Sequence, residues 1–401
     1  MSDPLLLSFN FGSSTVKTGL FAVKGGEPRG LADGAIDFRQ SPFRFRMSDG
    51  PARFDEPLAA KSADDLPAIV RQAFELLEKH FDLGALRAAG HRVVHGGDTF
   101  KGPVRIDDAT LDEIEGLAVL APMHQSQALR LIRAIRNIRP QLAQTASFDT
   151  TFHCRQADIV RRFALPREMF DRGIKRYGFH GLSYQYIAGA LARRAPDIAK
   201  KKVVVAHLGS GASLCGMENG ISRDTSMGFS ALDGVPMATR CGALDAGVPL
   251  HMIGTEGLGA KAIEDILYHR SGLLGISGIS ADTRDLLKSA APEAKEAIGI
   301  FTLRIAGEVA RIAATLRGLD ALVFTAGIGE HQPEIRAGIC ERLRWLGVAL
   351  DAKKNEANAE TIDGAESRVR IFVIPTDEQQ VIAEETLAVL GREEGAIQAA
   401  L

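Results

Sequence analysis

Short apolar runs alternate with longer amphipathic segments along the chain. Most runs contain β-branched residues and end near Gly, Ser or Asp, which is typical of a buried strand that leads into a turn. These runs predict strands at residues 5–10, 16–23, 91–94, 146–149, 203–207, 321–325 and 369–374. Strands separated by helical segments indicate an α/β fold with largely buried sheets.

The helical segments follow a period close to 3.6 residues. In the first, apolar residues recur at every fourth position from Ile69 to Phe81, and Asp64 or Asp65 precedes them as a helix cap. Further helices are predicted over 293–317 and 378–390, and two polar stretches without a clean period, 44–57 and 351–368, are predicted to be surface excursions.

Two segments about half a chain apart resemble each other. Residues 6–15 (LLSFNFGSST) and 204–213 (VVAHLGSGAS) both consist of an apolar strand, a polar residue and a Gly/Ser loop. Similar strand–loop units in the two halves of a chain are expected of a duplicated domain that holds a ligand between its copies. A chain of 401 residues is long enough for two or three domains.

Charge and cysteine usage exclude several classes of protein. With 48 basic and 50 acidic residues, the chain has no electrostatic footprint for nucleic acid or an anionic membrane. No apolar run is long enough to predict a transmembrane helix, and the N-terminal residues lack the basic start of a secretory signal. The four cysteines lie far apart with no C-x-x-C pair, which favours the cytoplasm.

Three Gly-rich loops follow predicted strands, at 10–17 (NFGSSTVK), 207–213 (HLGSGAS) and 324–330 (FTAGIGE). Ligands of α/β proteins bind at the carboxyl ends of strands, and glycine lets backbone amides approach phosphate oxygens. The third loop precedes a helix predicted to start near Pro333, so its amides can face an anion. None matches a P-loop or a dinucleotide motif, and each alone is more typical of a turn. Together, they favour phosphate handling.

Isolated charged residues beside glycine or apolar residues complete the pattern: Arg92, Asp149, His180, Arg240, Asp282 and Arg284. Any one of them is as typical of an ion pair or a cap as of a site. Phosphoryl transfer, however, needs cationic groups around the phosphate oxygens and little covalent chemistry from the protein. Two arginines, a histidine and a carboxylate form such a set, so the residues favour a phosphotransferase.

The order of these motifs resembles the acetate kinase family, which includes propionate kinases and belongs to the sugar kinase/Hsp70/actin superfamily. Matching strings, in order over essentially the whole chain, are HRVVHGG (91–97), FDTTFH (148–153), RYGFHG (176–181), DTSMGF (224–229), GLLGISGIS (272–280), FTAGIGE (324–330) and PTDEQQVIA (375–383). The resemblance implies two duplicated actin-like ATPase domains, each with a βββαβαβα core, and an active-site cleft between them. Residues 1–148 plus 374–401 would form the acyl-substrate domain, and 149–373 the nucleotide domain.

The resemblance also implies the reaction. This is Mg²⁺-dependent, reversible, in-line phosphoryl transfer from ATP to acetate, giving acetyl phosphate and ADP, with Mn²⁺ as a possible substitute metal. A carboxylate is already nucleophilic at neutral pH, so alignment and charge neutralisation replace a strong base. We expect a cytoplasmic homodimer whose partners are ATP or ADP and a short carboxylate or its acyl phosphate, with no nucleic acid and no membrane.

Each matching residue takes a role from the resemblance. The catalytic residues would be Arg92, Asp149, His180 and Arg240, and the metal residues Asn10 and Glu378. The nucleotide would contact Lys17, His207, Leu208, Gly209, Ser210, Gly211, Asp282, Thr283, Arg284, Gly327, Ile328, Gly329 and His331. The acyl substrate would contact Arg92, Val94, Met123, His124 and Phe179, although by residue type alone the apolar members are more typical of core packing.

Several positions depart from the family's pattern. Ser210 stands for an asparagine in the second loop, Ala231 for a proline that walls the acyl pocket, Ala243 for an aspartate after Arg240, and His331 for an asparagine near the adenine. The charged set is complete, so the phosphoryl centre is expected to be intact. A smaller residue at 231 predicts a larger acyl pocket that would admit propionate or butyrate.

Three other functions stay open on the residues alone. A kinase of a sugar hydroxyl would use Asp149 as its base, and a nucleotide-binding regulator would have lost catalysis through the changes at Ser210 and Ala243. A Ser/His hydrolase is the third, although no G-x-S-x-G follows a predicted strand.

Overall fold

A computed structural model of the chain describes residues 3–12, 15–50, 52–60 and 62–400, and the side chains of 52, 122, 123 and 393–400 lie outside that description. The chain divides into two compact units. The first contains the residues up to Thr151 and those from Asp377 onward, and the second is Phe152–Thr376. Both crossings fall a few residues after the predicted boundaries. Each unit has one β-sheet with flanking helices, which confirms the predicted α/β class.

The first unit contains eight strands and four helices among its described residues. The strands are β1 (Leu5–Phe11), β2 (Thr15–Lys24), β3 (Glu27–Asp37), β4 (Arg44–Asp49), β5 (Ala52–Pro57), β6 (Leu86–Val93), β7 (Val104–Arg105) and β8 (Ala143–Phe148). The helices are α1 (Leu66–His80), α2 (Asp108–Gly116), α3 (Pro122–Ile138) and, from the end of the chain, α16 (Glu378–Ala400), with 3₁₀ turns at Leu83–Ala85 and Leu117–Leu120.

The second unit contains five strands, β9 (Lys202–Leu208), β10 (Ala212–Glu218), β11 (Ile221–Thr225), β12 (Ala321–Thr325) and β13 (Arg370–Val373). Its helices are α4 (Asp158–Arg161), α5 (Arg167–Asp171), α6 (Gly181–Arg194), α7 (Pro196–Ala199), α8 (Gly247–Gly254), α9 (Ala260–His269), α10 (Gly272–Ser277), α11 (Thr283–Lys288), α12 (Pro292–Leu316), α13 (Ala326–His331), α14 (Pro333–Arg342) and α15 (Ala352–Glu356). Two 3₁₀ turns lie at Thr151–His153, across the boundary, and at Arg344–Leu346. No helix among the described residues combines the length and apolarity needed to span a membrane.

The strand order repeats from one unit to the other. It is β5-β4-β3-β2-β1-β6-β8-β7 in the first sheet and β11-β10-β9-β12-β13 in the second. In the shared five-strand core, the first three strands run antiparallel, and the third pairs in parallel with the fourth, as the fourth does with the fifth. The two similar sequence segments form the β1–β2 and β9–β10 hairpins, at the same place in each sheet.

Both faces of the first sheet are covered, which explains why β1 reads as a continuous apolar run. Leu7 and Phe9 pack in a core with α1 and α3, whereas Leu6 on the opposite face packs with Ala383 of α16. Helix α1 starts at the predicted cap, where the Asp65 carboxylate accepts from the Ala68 amide. It ends at His80, so Phe81 lies just past the helix in an extended conformation.

The prediction for 44–57 is wrong, because this stretch forms strands β4 and β5 at the edge of the first sheet. Phe45 and Met47 are buried, and the arginines between them pair with Asp55 on the neighbouring strand. The alternation covers too few residues to be distinguished from an irregular segment. The stretch 351–368, by contrast, contains only the short helix α15, and many of its residues are exposed.

Candidate active site

Four polar side chains of the first unit meet at the carboxyl ends of three neighbouring strands. Asn10 lies near the end of β1, Arg92 near the end of β6, and Asp149 directly after β8. Glu378 is the first residue of α16. Because these strands are parallel neighbours, their carboxyl ends lie at one edge of the sheet. The two predicted metal residues and two of the predicted catalytic residues therefore lie together.

Hydrogen bonds join the four side chains. Asn10 Nδ2 donates to Glu378 Oε2 at 2.5 Å, and Arg92 Nη1 donates to Asn10 Oδ1 at 3.0 Å. Arg92 also donates to Asp149, from Nε at 2.9 and 3.1 Å to the two carboxylate oxygens and from Nη2 at 2.5 Å. The Asp149 side chain is 1% exposed and that of Arg92 14%, so the ion pair lies largely out of solvent.

The carboxylates around Arg92 keep its guanidinium charged. Burial lowers the pKa of Arg92, but the negative charges of Asp149 and Glu378 raise it by more, so that the pKa ends above its usual value. A group that never loses its proton cannot act as an acid. Its chemical use is to neutralise and orient an anion.

The oxygen donors beside Arg92 suit a hard divalent cation. Mg²⁺ is usually held by one or two carboxylates together with water and substrate phosphates. Asn10, Asp149 and Glu378 offer one amide oxygen and two carboxylates within one hydrogen-bonded group. In the described part of the chain, no cluster of three or more His, Cys, Asp or Glu side chains is arranged to hold a metal. The oxygen donors beside Arg92 fit Mg²⁺ or Mn²⁺ by their chemistry.

The first Gly-rich loop is the turn of the β1–β2 hairpin. The Gly12 amide donates to the Thr15 carbonyl at 2.8 Å, and Ser13, predicted to belong to this loop, lies outside the described residues. Lys17 is exposed on β2 directly opposite Asn10. Cross-strand partners project to the same face of a sheet, so the Lys17 ammonium belongs on the side of the polar group.

Besides Arg92, two of the predicted acyl-binding residues of this unit can be located. Val94 follows β6 directly and is buried, and His124 is half-buried near the start of α3. The Met123 side chain lies outside the described residues.

Two stacked imidazoles mark the second unit. The rings of His180 and His207 lie 4.3 Å apart between centroids and 17° from parallel. His180 Nδ1 is 2.8 Å from Ser213 Oγ, and His207 Nδ1 is 2.8 Å from Ser183 Oγ. A serine hydroxyl at each Nδ1 fixes the orientation of both rings.

A strained turn carries His180. Its backbone is left-handed, with φ of 58°, and Gly178 two residues earlier has φ of 80°. Such a conformation costs a residue other than glycine about 1–2 kcal/mol, and strain of this kind is typical of functional sites. His153 holds the turn, because its Nε2 lies 3.0 Å from the carbonyl of Phe179, a buried residue predicted to bind the acyl group. Burial lowers the pKa of His153 to about 4, so at neutral pH it is an uncharged hydrogen-bond donor.

The guanidinium of Arg240 shares a small space with His180 and the second Gly-rich loop. Arg240 Nη1 donates to the Ala231 carbonyl at 2.9 Å. A methyl group built on Gly211 would lie 3.4 Å from His180 Nε2 and 3.7 Å from Arg240 Nη2. Gly272, with φ of 62°, leaves no room for a side chain against the Arg240 backbone and so holds it in place. The three groups around Gly211 form what we call the anion cradle: a glycine loop, an imidazole nitrogen and a guanidinium.

The rest of the second loop is a tight turn between β9 and β10. The Gly209 amide donates to the Gly211 carbonyl at 3.0 Å, and Leu208 is fully buried. The Ser210 side chain is exposed, and its carbonyl accepts from the Ala238 amide.

The third loop differs from its prediction. Its residues already form α13, and the helix predicted near Pro333 is the next one, α14. The chain enters α13 through Ala326, whose φ is 63°. The predicted nucleotide residues of α13 differ in exposure: Gly327 and His331 are exposed, Ile328 is half-buried and Gly329 is buried.

The remaining nucleotide residues lie at the start of α11. Asp282 caps this helix by accepting from the Arg284 amide at 2.8 Å, and it forms an ion pair with the Arg284 guanidinium at 2.5 Å. The Arg284 side chain is 74% exposed. Thr283, by contrast, is buried inside the unit.

Comparisons with known proteins identify the family of the chain. The sequence model of the Acetokinase family matches residues 5–384. The chain belongs to the acetokinase family. An acetate kinase of Rhodopseudomonas palustris (strain TIE-1) is 46% identical over 396 residues, covering 96% of this chain and 97% of that protein. An acetate kinase of Rhizobium meliloti is 44% identical over 389 residues, covering 96% and 98%.

Solved acetokinase structures share the fold. A propionate kinase from Francisella tularensis subsp. tularensis SCHU S4 has a TM-score of 0.89 at 34% identity, covering 95% of this chain and 98% of that one. The Porphyromonas gingivalis acetate kinase has a TM-score of 0.85 at 32% identity, covering 96% and 100%. These findings confirm the predicted family resemblance and the actin-like ATPase fold.

Sequence reasoning missed several residues that hold the candidate site residues in place. Arg336 on α14 is fully buried and donates to the carbonyls of Gly329 at 2.8 Å and Glu330 at 3.0 Å, which fixes the end of α13. Ser213, Ser183 and His153 support the two stacked rings. His153 ends the string FDTTFH, Ser183 lies two residues past RYGFHG, and Ser213 ends the second Gly-rich loop. Nothing in their spacing separates a supporting residue from a core residue.

Proposed function

We propose that the chain is an acetate kinase that transfers the γ-phosphoryl group of ATP to acetate and runs reversibly. The observation that carries the proposal is the hydrogen-bonded group of Asn10, Arg92, Asp149 and Glu378 at the carboxyl edge of the first sheet, in a chain of the acetokinase family. An acetate oxygen forms a bond to the γ-phosphorus, the bond from that phosphorus to the bridging oxygen breaks, and ADP leaves. The phosphoanhydride bond broken in ATP and the mixed anhydride bond formed in acetyl phosphate are both energy-rich, which makes the reaction reversible.

The catalytic residues act by neutralising and aligning anions. Arg92 and Arg240 lower the repulsion between the carboxylate and the phosphoryl group, and His180 donates a hydrogen bond to the phosphoryl oxygens. Asp149 keeps Arg92 in a fixed orientation through its two-oxygen contact. No general base is required, because acetate is ionised at neutral pH.

We assign the divalent cation to Asn10 and Glu378, with Asp149 nearby. Mg²⁺, or Mn²⁺ in its place, supplies positive charge to the phosphate oxygens of the nucleotide. The first unit is thus the acyl and metal side. The second is the nucleotide side, in which the turns around Gly209, Asp282 and Gly327 carry the contact residues.

A longer short-chain carboxylate is the second candidate substrate. The position that the resemblance assigns to the wall of the acyl pocket holds Ala231, a small residue, and one solved neighbour at 34% identity is a propionate kinase. One methylene in an apolar pocket changes discrimination by about 1–3 kcal/mol. A pocket enlarged in this way accepts propionate or butyrate beside acetate.

We also propose a homodimer located in the cytoplasm. Helix α8 and the segment before it expose apolar side chains, with Leu244, Leu250 and Ile253 between 46% and 68% exposed. Exposed apolar residues in one stretch are typical of an association surface. The oligomeric state is measured directly by light scattering coupled to size-exclusion chromatography.

The test is an acyl phosphate assay with hydroxylamine trapping, run with Mg·ATP and a panel of acetate, propionate, butyrate and a sugar. Acetyl hydroxamate formation with the highest kcat/KM for acetate supports the acetate kinase. A higher kcat/KM for propionate moves the assignment to the longer acid. Product from the sugar alone, or no turnover with any acceptor, contradicts the proposal and favours a sugar kinase or a regulator.

A further inference from the structure

A chain of hydroxyl groups lies behind the imidazole of His180. Tyr184 of α6 is fully buried, and its hydroxyl lies 2.5 Å from Ser213 Oγ. Ser213 of β10 is also fully buried, and the same oxygen lies 2.8 Å from His180 Nδ1. Ser213 thus stands between a phenol and the nitrogen of His180 that faces away from the anion cradle.

The number of protons that the two hydroxyl groups can donate decides which ring nitrogen of a neutral His180 carries hydrogen. A serine hydroxyl has one proton to donate, and a phenol is the more acidic of the two hydroxyls. When Tyr184 donates to Ser213, the serine proton goes to His180 Nδ1, which must then be an acceptor. The ring proton is left on Nε2, the nitrogen that faces Gly211 in the anion cradle.

An uncharged donor suits this position. The charged and titratable groups that face His180 in the described contacts are Arg240, whose Nη2 borders the same cradle, His207, stacked at 4.3 Å, and Tyr184 through Ser213. A second positive charge among them is opposed by Arg240. The Nε2–H form provides a hydrogen bond for a phosphoryl oxygen without that repulsion.

We propose that Tyr184 is a positioning residue that, through Ser213, holds neutral His180 as the Nε2–H tautomer. The consequence for catalysis rests on the proposed function, whereas the tautomer does not. A kinase that lost this control would present a lone pair of Nε2 to the phosphoryl oxygens for part of the time.

The variant Tyr184→Phe removes only the hydroxyl. Ser213 is then able to accept from Nδ1–H, and the ring divides between two tautomers. We expect kcat to fall about 10- to 100-fold at neutral pH, with the KM for ATP changed far less. The defect should shrink as the pH falls, because an imidazolium carries hydrogen on both nitrogens and needs no tautomer control.

Tyr177→Phe is the matched control. This tyrosine lies in the same unit and is largely buried, and its hydroxyl donates to the Gly173 carbonyl at 2.9 Å, outside the chain to His180. Its variant should keep wild-type kcat at every pH. Ser213→Ala should lower kcat as Tyr184→Phe does, and the double variant should lose little more, because both changes break one chain.

Nitrogen-15 NMR of histidine-labelled protein reads the tautomer without any activity, with His180→Gln used to assign the signal. The proposal expects Nε2–H in the wild type and a mixture in Tyr184→Phe. It is overturned by an Nδ1–H tautomer in the wild type, or by equal kcat for the two tyrosine variants across the pH range. A wild type that makes no acyl phosphate sinks the proposed function instead, and the NMR result still decides the tautomer.

Discussion

A single methyl group added to Gly211 should abolish most of the activity without harming the fold. Gly211 has no left-handed backbone angle, and the nearest atoms to an added Cβ lie at 3.4 to 3.7 Å, which is ordinary contact distance. Alanine therefore fits the protein. It also lowers the entropy of the unfolded chain, which stabilises the folded state by about 0.4–1 kcal/mol.

The methyl group would, however, occupy the space that the substrate needs. An oxygen bound to His180 Nε2 or Arg240 Nη2 lies about 2.7–3.1 Å from the donor nitrogen. Carbon and oxygen atoms approach no closer than about 3.3 Å without repulsion. With Cβ 3.4 Å from Nε2 and 3.7 Å from Nη2, we expect the methyl group to compete for space with an oxygen that bonds to both donors. Loss of such a donor contact lowers kcat by about 10²–10³, equivalent to roughly 2.7–4 kcal/mol.

The assay is acetyl phosphate formation at saturating Mg·ATP, combined with urea unfolding of the same preparations. Gly307→Ala is the control, because Gly307 is exposed in the middle of α12 and an added methyl meets no atom within 4 Å. It should gain stability and keep full activity. If Gly211→Ala retains kcat within about threefold of wild type, the anion cradle is not where the phosphoryl group binds.

Three further outcomes are expected. Arg92→Lys should lose activity by orders of magnitude, because an ammonium cannot contact both oxygens of Asp149 as the planar guanidinium does. Steady-state kinetics measures this loss, and a kcat/KM near that of the wild type would contradict the role assigned to Arg92. Gly272→Ala should lower kcat by displacing Arg240, and a crystal structure of an active variant with Arg240 unmoved would refute this. Burial lowers the pKa of His91 to about 4 in the folded protein. Between about pH 6.5 and 4, His91 therefore takes up a proton only in the unfolded chain. The free energy of unfolding should fall as the pH drops through that range. Urea unfolding should show a shallower pH dependence for His91→Gln, and an unchanged slope would exclude His91 as a cause.

The sequence pattern was sufficient to predict long helices, whose periodic pattern extends over many residues, and strands that are wholly buried. Helix α12 was predicted over 293–317 and spans Pro292–Leu316, and β12 was predicted to the residue. The edge strands β4 and β5 were missed because four alternating residues carry little signal. The extent of α16 beyond 390 was missed because its apolar face weakens there.

The charged residues of the candidate site could be selected from the sequence, whereas their mutual arrangement could not be predicted. Arg92 and Asp149 are separated by 57 positions, and only the parallel pairing of β6 with β8 brings their side chains together. The position of Gly211 beside His180 depends on the left-handed backbone of His180, which no local sequence pattern predicts. Buried partners such as Ser213 cannot be predicted from sequence spacing, because the histidine ring that they contact lies on another element.

The discontinuity of the first unit has a consequence for how the protein is made. Helix α16 packs on the first sheet, with Thr386 Oγ1 2.7 Å from Thr145 Oγ1, and it also carries Glu378. A ribosome delivers this helix only after the entire second unit has emerged, so the first sheet must wait with one face uncovered. The same late event covers that face and brings the Glu378 carboxylate to Asn10. A nascent or truncated chain without α16 therefore has neither a finished first unit nor the complete hydrogen-bonded group of Asn10, Arg92, Asp149 and Glu378, and we expect it to be inactive.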